Sequence, residues 1–166
     1  MKTRKESRIV PIIFGGFMVL SYIVMRFIYK GKYDFLHIIS ERINFPSMWI
    51  FNFLYMITLF FLGVSLGLLA SELTQGGVSL QNENAFLRGG ILFSIIYFLS
   101  LSWYPSLFVL ELPLLSFVII LLCVLLTVFL IYAWSRVSIS HTLLVFPFLL
   151  WTLYLLVLNF IIIFRI

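Results

Sequence analysis

Few side chains in this 166-residue sequence could do chemistry. Cys123 is the single cysteine and sits inside an apolar run, so neither a disulfide nor a cysteine metal site can form within one chain. His37 and His141 fall in or beside connections between apolar runs, where imidazole is more often a solvated or capping group than a metal ligand. The patterns H-E-x-x-H, G-x-S-x-G and G-x-x-x-x-G-K are absent, so zinc hydrolysis, serine acyl transfer and nucleotide binding lose their usual signatures. No Asp, Glu or Lys interrupts the long apolar runs. Ion-coupled carriers commonly keep an acidic group at bilayer depth, so coupled transport is disfavoured.

The apolar runs do contain aromatic rings with a few polar handles. Trp103 and Trp151 lie deep within theirs, where an indole N–H needs an acceptor or an open cavity, which makes them candidates for lining a pocket. Packing against a neighbouring helix is the competing explanation. Ser100, Ser102 and Tyr104 flank Trp103, and Pro105 frees a backbone carbonyl one turn earlier. Residues four apart stack along a helix, so Trp151, Leu155 and Asn159 share one face: a ring, an aliphatic side chain and an amide. A buried Asn at such a position usually bonds to another helix. Trp49 and Trp134 lie near run ends, where an interfacial aromatic belt explains them.

Membrane helices must position these residues. The sequence is 63% apolar and 10% charged, against about half and a quarter in an ordinary soluble domain. Uncharged runs cover 9–25, 43–71, 89–110, 112–135 and 137–164. A helix rising about 1.5 Å per residue needs roughly 20 residues to cross a hydrocarbon core of about 30 Å. The spacing predicts an all-α bundle of five transmembrane helices, near 10–29, 47–70, 89–109, 112–133 and 142–164, in a single domain over 1–166. Arg26 extends the first helix by snorkelling. No small-x-small cleavage site precedes it, so the first helix is read as retained rather than as a signal peptide.

Glu111-Leu112-Pro113 suits a tight reversal that sets helices three and four side by side and antiparallel. Gly63 and Gly67 form a G-x-x-x-G that suits close packing, within the bundle or in a homodimer. The net charge of +5 does not point to nucleic acid, because Lys2, Arg4, Lys5 and Arg8 cluster directly before an apolar run and read as a membrane-surface anchor. Those four with Arg88 and Arg136 fall on one face. Lys30, Lys32, Arg42 and Arg165, with Arg26 beside them, fall on the other, a small excess that favours an inside amino terminus.

The stretch from Leu99 to Phe108, L-S-L-S-W-Y-P-S-L-F, resembles the third-helix signature L-N-x-x-W-x-P-x-F-F of the TspO/MBR family of tryptophan-rich sensory and translocator proteins. Pro147-Phe148-Leu149-Leu150-Trp151 followed by Leu158-Asn159 is similar to that family's fifth-helix P-Y-x-x-W and L-N, and Pro113 falls where helix four often opens on proline or glycine. The likeness is strongest from Leu99 to Asn159. Tyr33-Asp34-Phe35-Leu36 resembles the first-loop W-Y-x-x-L with Lys32 in place of tryptophan, and Phe45-Pro46 is all that stands for K-P-x-W-x-P-P. Ser100 replaces an asparagine, Ile119 an aspartate, and Leu155 a residue that is usually small.

The resemblance implies a multi-pass protein of a bacterial cytoplasmic membrane that binds porphyrin-type tetrapyrroles, haem, sterols or other flat apolar ligands in an aromatic intrabundle pocket. It would act as a sensor, regulator or carrier. No cofactor is required for that role, and porphyrin degradation at Trp103 and Trp151 is the enzymatic variant it allows. The candidate ligand-binding residues are Ser100, Trp103, Tyr104, Trp151, Leu155 and Asn159, with Lys30, Lys32 and Arg42 available for propionates at the mouth. The alternative is a non-catalytic interaction protein whose bundle binds another membrane protein. With five spans, reporters fused after Arg8 and after Ile166 are expected on opposite faces of the membrane. The same side for both would remove one span from the scheme.

Overall fold

The computed structural model describes residues 6–29, 39, 46–74 and 80–165. The helices are α1 (Glu6–Ile28), α2 (Met48–Thr74), α3 (Leu80–Phe108), α4 (Pro113–Ser135) and α5 (Phe146–Arg165). A helical turn, Ile139–Thr142, and a 3-10 turn, Leu143–Val145, lead into α5. Five stretches are long and apolar enough to cross a membrane: Ile9–Ile28, Met48–Leu73, Glu83–Phe108, Pro113–Ser135 and Ile139–Arg165. The protein is an all-α, multi-pass membrane bundle. Lys2, Arg4, Lys5, Lys30, Lys32, Tyr33, His37, Arg42, Phe45 and the Gly76-Gly77 pair lie outside the described residues.

Hydrocarbon offers the backbone no hydrogen-bond partner, so helices are the only single-segment solution, and hydroxyls within them must find acceptors locally. Ser21, Ser94, Ser102, Ser106 and Thr127 each donate to the carbonyl four residues earlier on their own helix. The largest departure from the sequence expectation is at α3, which starts at Leu80 rather than near 89 and takes in the polar run through Asn84. Polarity marks where the hydrocarbon ends. The helix runs on into the headgroup zone, where its polar side chains are at no disadvantage. Pro147 has no N–H to return to the Leu143 carbonyl, and the backbone tightens to 3-10 just before it.

The reversal between α3 and α4 is as tight as Glu111-Leu112-Pro113 suggests. Pro113 opens α4, Glu111 takes φ 55°, and the Leu112 N–H donates back to the Ser106 carbonyl at 3.1 Å. Around the bundle α1 packs on α2, α2 on α5, α5 on α4, and α4 on α3. Ile39, from the connection between α1 and α2, is fully buried.

Small residues set the α1–α2 crossing. A Cβ on Gly63 would stand 2.7 Å from the Phe14 carbonyl oxygen and 2.8 Å from Gly15 Cα, and one on Gly67 would meet Pro11. The G-x-x-x-G therefore works inside the chain. The face of α2 that its sequence leaves open to a second copy is covered by α1. Gly63→Ile must push α1 away, and overpacking of this kind costs about 1–3 kcal/mol. A lowered melting temperature in detergent is the expected result. Gly16, which has nothing within 4 Å of its would-be Cβ, should accept alanine without loss.

Candidate functional site

The site is built outward from the first turn of α2. Phe51 is fully buried and its ring lies 5.8 Å from that of Trp103 on α3 and 5.1 Å from that of Trp151 on α5. One turn further, Tyr55 stacks on Trp151 at 6.1 Å and meets Tyr22 of α1 edge-on at 4.8 Å. Trp103 also packs edge-on to Phe108 at 5.8 Å. Rings from four helices thus fill the space between α1, α2, α3 and α5 toward the end of the bundle that carries the first connection. Edge-to-face and offset pairs of this kind are each worth about 0.5–1.5 kcal/mol beyond the area they bury.

Hydrogen bonds fix the orientation of these rings. Tyr22 Oη donates to Asn52 Oδ1 at 2.7 Å, and Tyr55 Oη donates to the Ser100 carbonyl at 2.8 Å. The Ser100 hydroxyl turns back to the Tyr97 carbonyl of its own helix, so Ser100 meets the site through its backbone. Tyr104 is buried beside Phe108, with ring centroids 4.8 Å apart, and the Arg26 guanidinium lies over its ring at 4.7 Å. Arg26 was expected to snorkel toward the headgroups. It packs into the bundle instead, because the Tyr104 ring offers the cation a π face. Trp103 Nε1, Trp151 Nε1 and Tyr104 Oη are buried with no hydrogen-bond partner among the described residues.

Trp151, Leu155 and Asn159 share the buried face of α5, as their spacing predicts. The Asn159 amide is committed to neighbouring helix groups: Oδ1 accepts from Ser116 Oγ of α4 at 2.5 Å, and Nδ2 donates to the Leu155 carbonyl at 2.7 Å. That makes it a clamp between α4 and α5. A cavity of about 240 Å³ opens between α2 and α5, lined by Pro46, Ile50, Phe51, Leu54, Trp151 and Tyr154. Its inner wall is Trp151 and Phe51, and its rim residues Ile50, Leu54 and Tyr154 are exposed to the lipid side. The lining of the cavity is almost wholly apolar.

The other two tryptophans diverge. Trp49 is 74% exposed and stacks on Phe53 of its own helix at 5.7 Å, in keeping with an interfacial belt. Trp134 is not a belt residue. It is fully buried, its indole fills the space left by the missing side chain of Gly89, and it stacks on Phe93 at 5.8 Å. A glycine on the facing helix is the signal that separates a packed tryptophan from an interfacial one. Phe51 and Tyr55 escaped the sequence reading, and Arg26 was read there only as a snorkelling charge. The pair Phe51 and Tyr55, one turn apart with Asn52 between them, was the available clue.

The sequence profile of the TspO/MBR family matches residues 10–165. The chain belongs to the TspO/MBR family. No curated protein and no solved structure matches it. In this TspO/MBR chain both family-like tryptophans, Trp103 and Trp151, converge on Phe51. Interhelical hydrogen bonds in membrane proteins are worth about 0.6 kcal/mol on average and up to about 1.7. Tyr55→Phe and Asn159→Leu each remove one such bond while keeping most of the volume. Each should lower stability by about 1 kcal/mol, read as a shift in thermal or denaturant midpoint, with the helical content unchanged.

Proposed function

We propose that this TspO/MBR protein binds porphyrin-type tetrapyrroles or comparable flat apolar molecules against the aromatic cluster of α2, α3 and α5, acting as their sensor, regulator or carrier. The observation that carries the reading is the convergence of two deep tryptophans on Phe51, with the indole N–H groups of both left without acceptors among the described residues. A flat ligand takes its affinity from ring faces and its orientation from a few donors. Trp151 and Phe51 supply the faces and Trp151 Nε1 a donor, while Trp103 Nε1, Tyr104 Oη and the aliphatic Leu155 are buried outside the cavity lining and would meet a ligand only if Phe51 turned aside. Ser100 holds Tyr55 in place through its carbonyl, and Asn159 holds α5 against α4.

Size limits the mode of binding. Pockets that enclose a drug-sized ligand run to about 300–1,000 Å³, and the cavity here is about 240 Å³. A macrocycle is therefore covered on one face and along one edge unless Phe51 turns out of the way. The described residues fit the macrocycle better than iron. His141 packs beside Ser65 and Glu72 of α2, about four helical turns or roughly 20 Å from Phe51. The closely filled interior is also the feature that supports the second reading, a bundle whose task is to bind another membrane protein.

Protoporphyrin IX titrated into the detergent-solubilised protein should quench tryptophan fluorescence saturably. Trp151→Phe should weaken binding by about 1 kcal/mol, roughly fivefold, because it loses the N–H and part of the stacking area. Trp49→Phe should bind as wild type, and Leu155→Ala should admit bulkier ligands. Quenching that is linear and identical in all four proteins would leave the interaction-protein reading in its place.

A further inference from the structure

A second cavity, about 900 Å³ in volume, lies between α3 and α4 at the opposite end of the bundle from the first connection. Its α3 wall carries Asn84, Arg88 and Leu92, which recur every four residues and so form one ridge. Its α4 wall carries Phe129, Tyr132 and Arg136. Arg88 lies in the first turns of the span Glu83–Phe108 and Arg136 directly follows the span Pro113–Ser135, and both are exposed. Leu92 and Phe129 lie further toward the bilayer interior. The mouth of the groove is cationic and its depth is apolar.

Solvated arginines at a membrane face are common and need no ligand. Three features go further. Arg136 is held in place by its own helix, its guanidinium 4.6 Å above the Tyr132 ring and donating to the Tyr132 hydroxyl. No carboxylate forms an ion pair with Arg88 or Arg136 among the described residues. The two cations come from different helices and line one groove. Guanidinium groups bind phosphate oxygens through paired, charge-assisted hydrogen bonds, and basic pockets between transmembrane helices take anionic lipid headgroups.

We infer that the α3–α4 groove is a binding site for an anionic phospholipid of the leaflet on the amino-terminal face. The phosphate sits between Arg88 and Arg136 with the Asn84 amide beside it, and an acyl chain runs inward along Leu92 and Phe129. In the sequence the basic cluster Lys2, Arg4, Lys5 and Arg8 directly precedes the first span, and clusters of this kind attract the same lipids. The groove is separate from the aromatic cluster, so the two sites stand or fall independently.

The test is thermal melting of the full chain in a neutral detergent while short-chain phosphatidylglycerol, phosphatidylcholine or inorganic phosphate is titrated in. Phosphatidylglycerol should raise the midpoint and saturate at a concentration at least about tenfold below that of phosphatidylcholine. Each of Arg88→Gln and Arg136→Gln should raise its half-saturating concentration about fivefold. Arg88→Lys should fall between, since it keeps the charge and loses the planar fork. Arg165→Gln, at the other face, should behave as wild type. Midpoints in lipid-free detergent report whether each variant is folded. Equal responses to the two lipids, indifference to both arginine substitutions, or an equal loss in Arg165→Gln would overturn the site. Saturation by inorganic phosphate at the same concentration would assign the arginines to a free anion and remove the lipid.

Discussion

In hydrocarbon, one apolar helix gains nothing by leaving lipid for another, so association has to come from close backbone approach and from polar groups that find partners across the bundle. Every helix contact in this protein reflects that constraint. Gly63 and Gly67 let α1 lie directly on α2, and Gly89 lets Trp134 of α4 press against α3. Elsewhere single hydrogen bonds tie neighbours together: Tyr22 to Asn52, Tyr55 to the Ser100 carbonyl, and Ser116 to Asn159. The buried polar residues Ser65, Ser100, Ser116, Thr127, Thr152 and Asn159 all point inward, while Leu, Ile, Val and Phe are free to face lipid.

The aromatic site follows from where glycine is missing. Near the amino-terminal face, small residues close the gaps between helices. Toward the first connection no glycine lies between α2, α3 and α5 among the described residues, and large rings take up the space. Phe51 serves both as packing and as the inner surface of the cavity between α2 and α5, and Tyr55 stacks on Trp151, the other inner wall. A wall of this kind is rigid where its hydroxyls are bonded, as in Tyr22 and Tyr55. Phe51 is positioned by ring contacts with Trp103 and Trp151.

Arg26 illustrates how the same constraint treats a charge. A guanidinium in the last turn of α1 has water within reach, yet it lies over the Tyr104 ring, where a cation–π contact in a partly desolvated setting is worth about 0.5–2 kcal/mol. It brings positive charge to the edge of the aromatic cluster, next to the buried Tyr104 hydroxyl and close in sequence to Trp103.

The sequence by itself determined the five spans, the reversal at Glu111-Leu112-Pro113, the depth of Trp103 and Trp151, and the shared face of Trp151, Leu155 and Asn159. Each is a local property: length against bilayer thickness, proline and turn chemistry, or the four-residue stagger of a helix. Helix ends were less legible, as α3 shows, because polarity records the edge of the hydrocarbon and not the end of hydrogen bonding. Only the tertiary structure decided that Gly63 and Gly67 serve α1 rather than a second copy. It also decided that Trp134 is packed and Trp49 is not, that Phe51 stands between the two deep tryptophans, and that Arg88 and Arg136 share a groove. A helix that is apolar all round has no hydrophobic stripe to declare its inner face. Which side turns inward is settled by the gaps and rings of its neighbours, and those lie elsewhere in the chain.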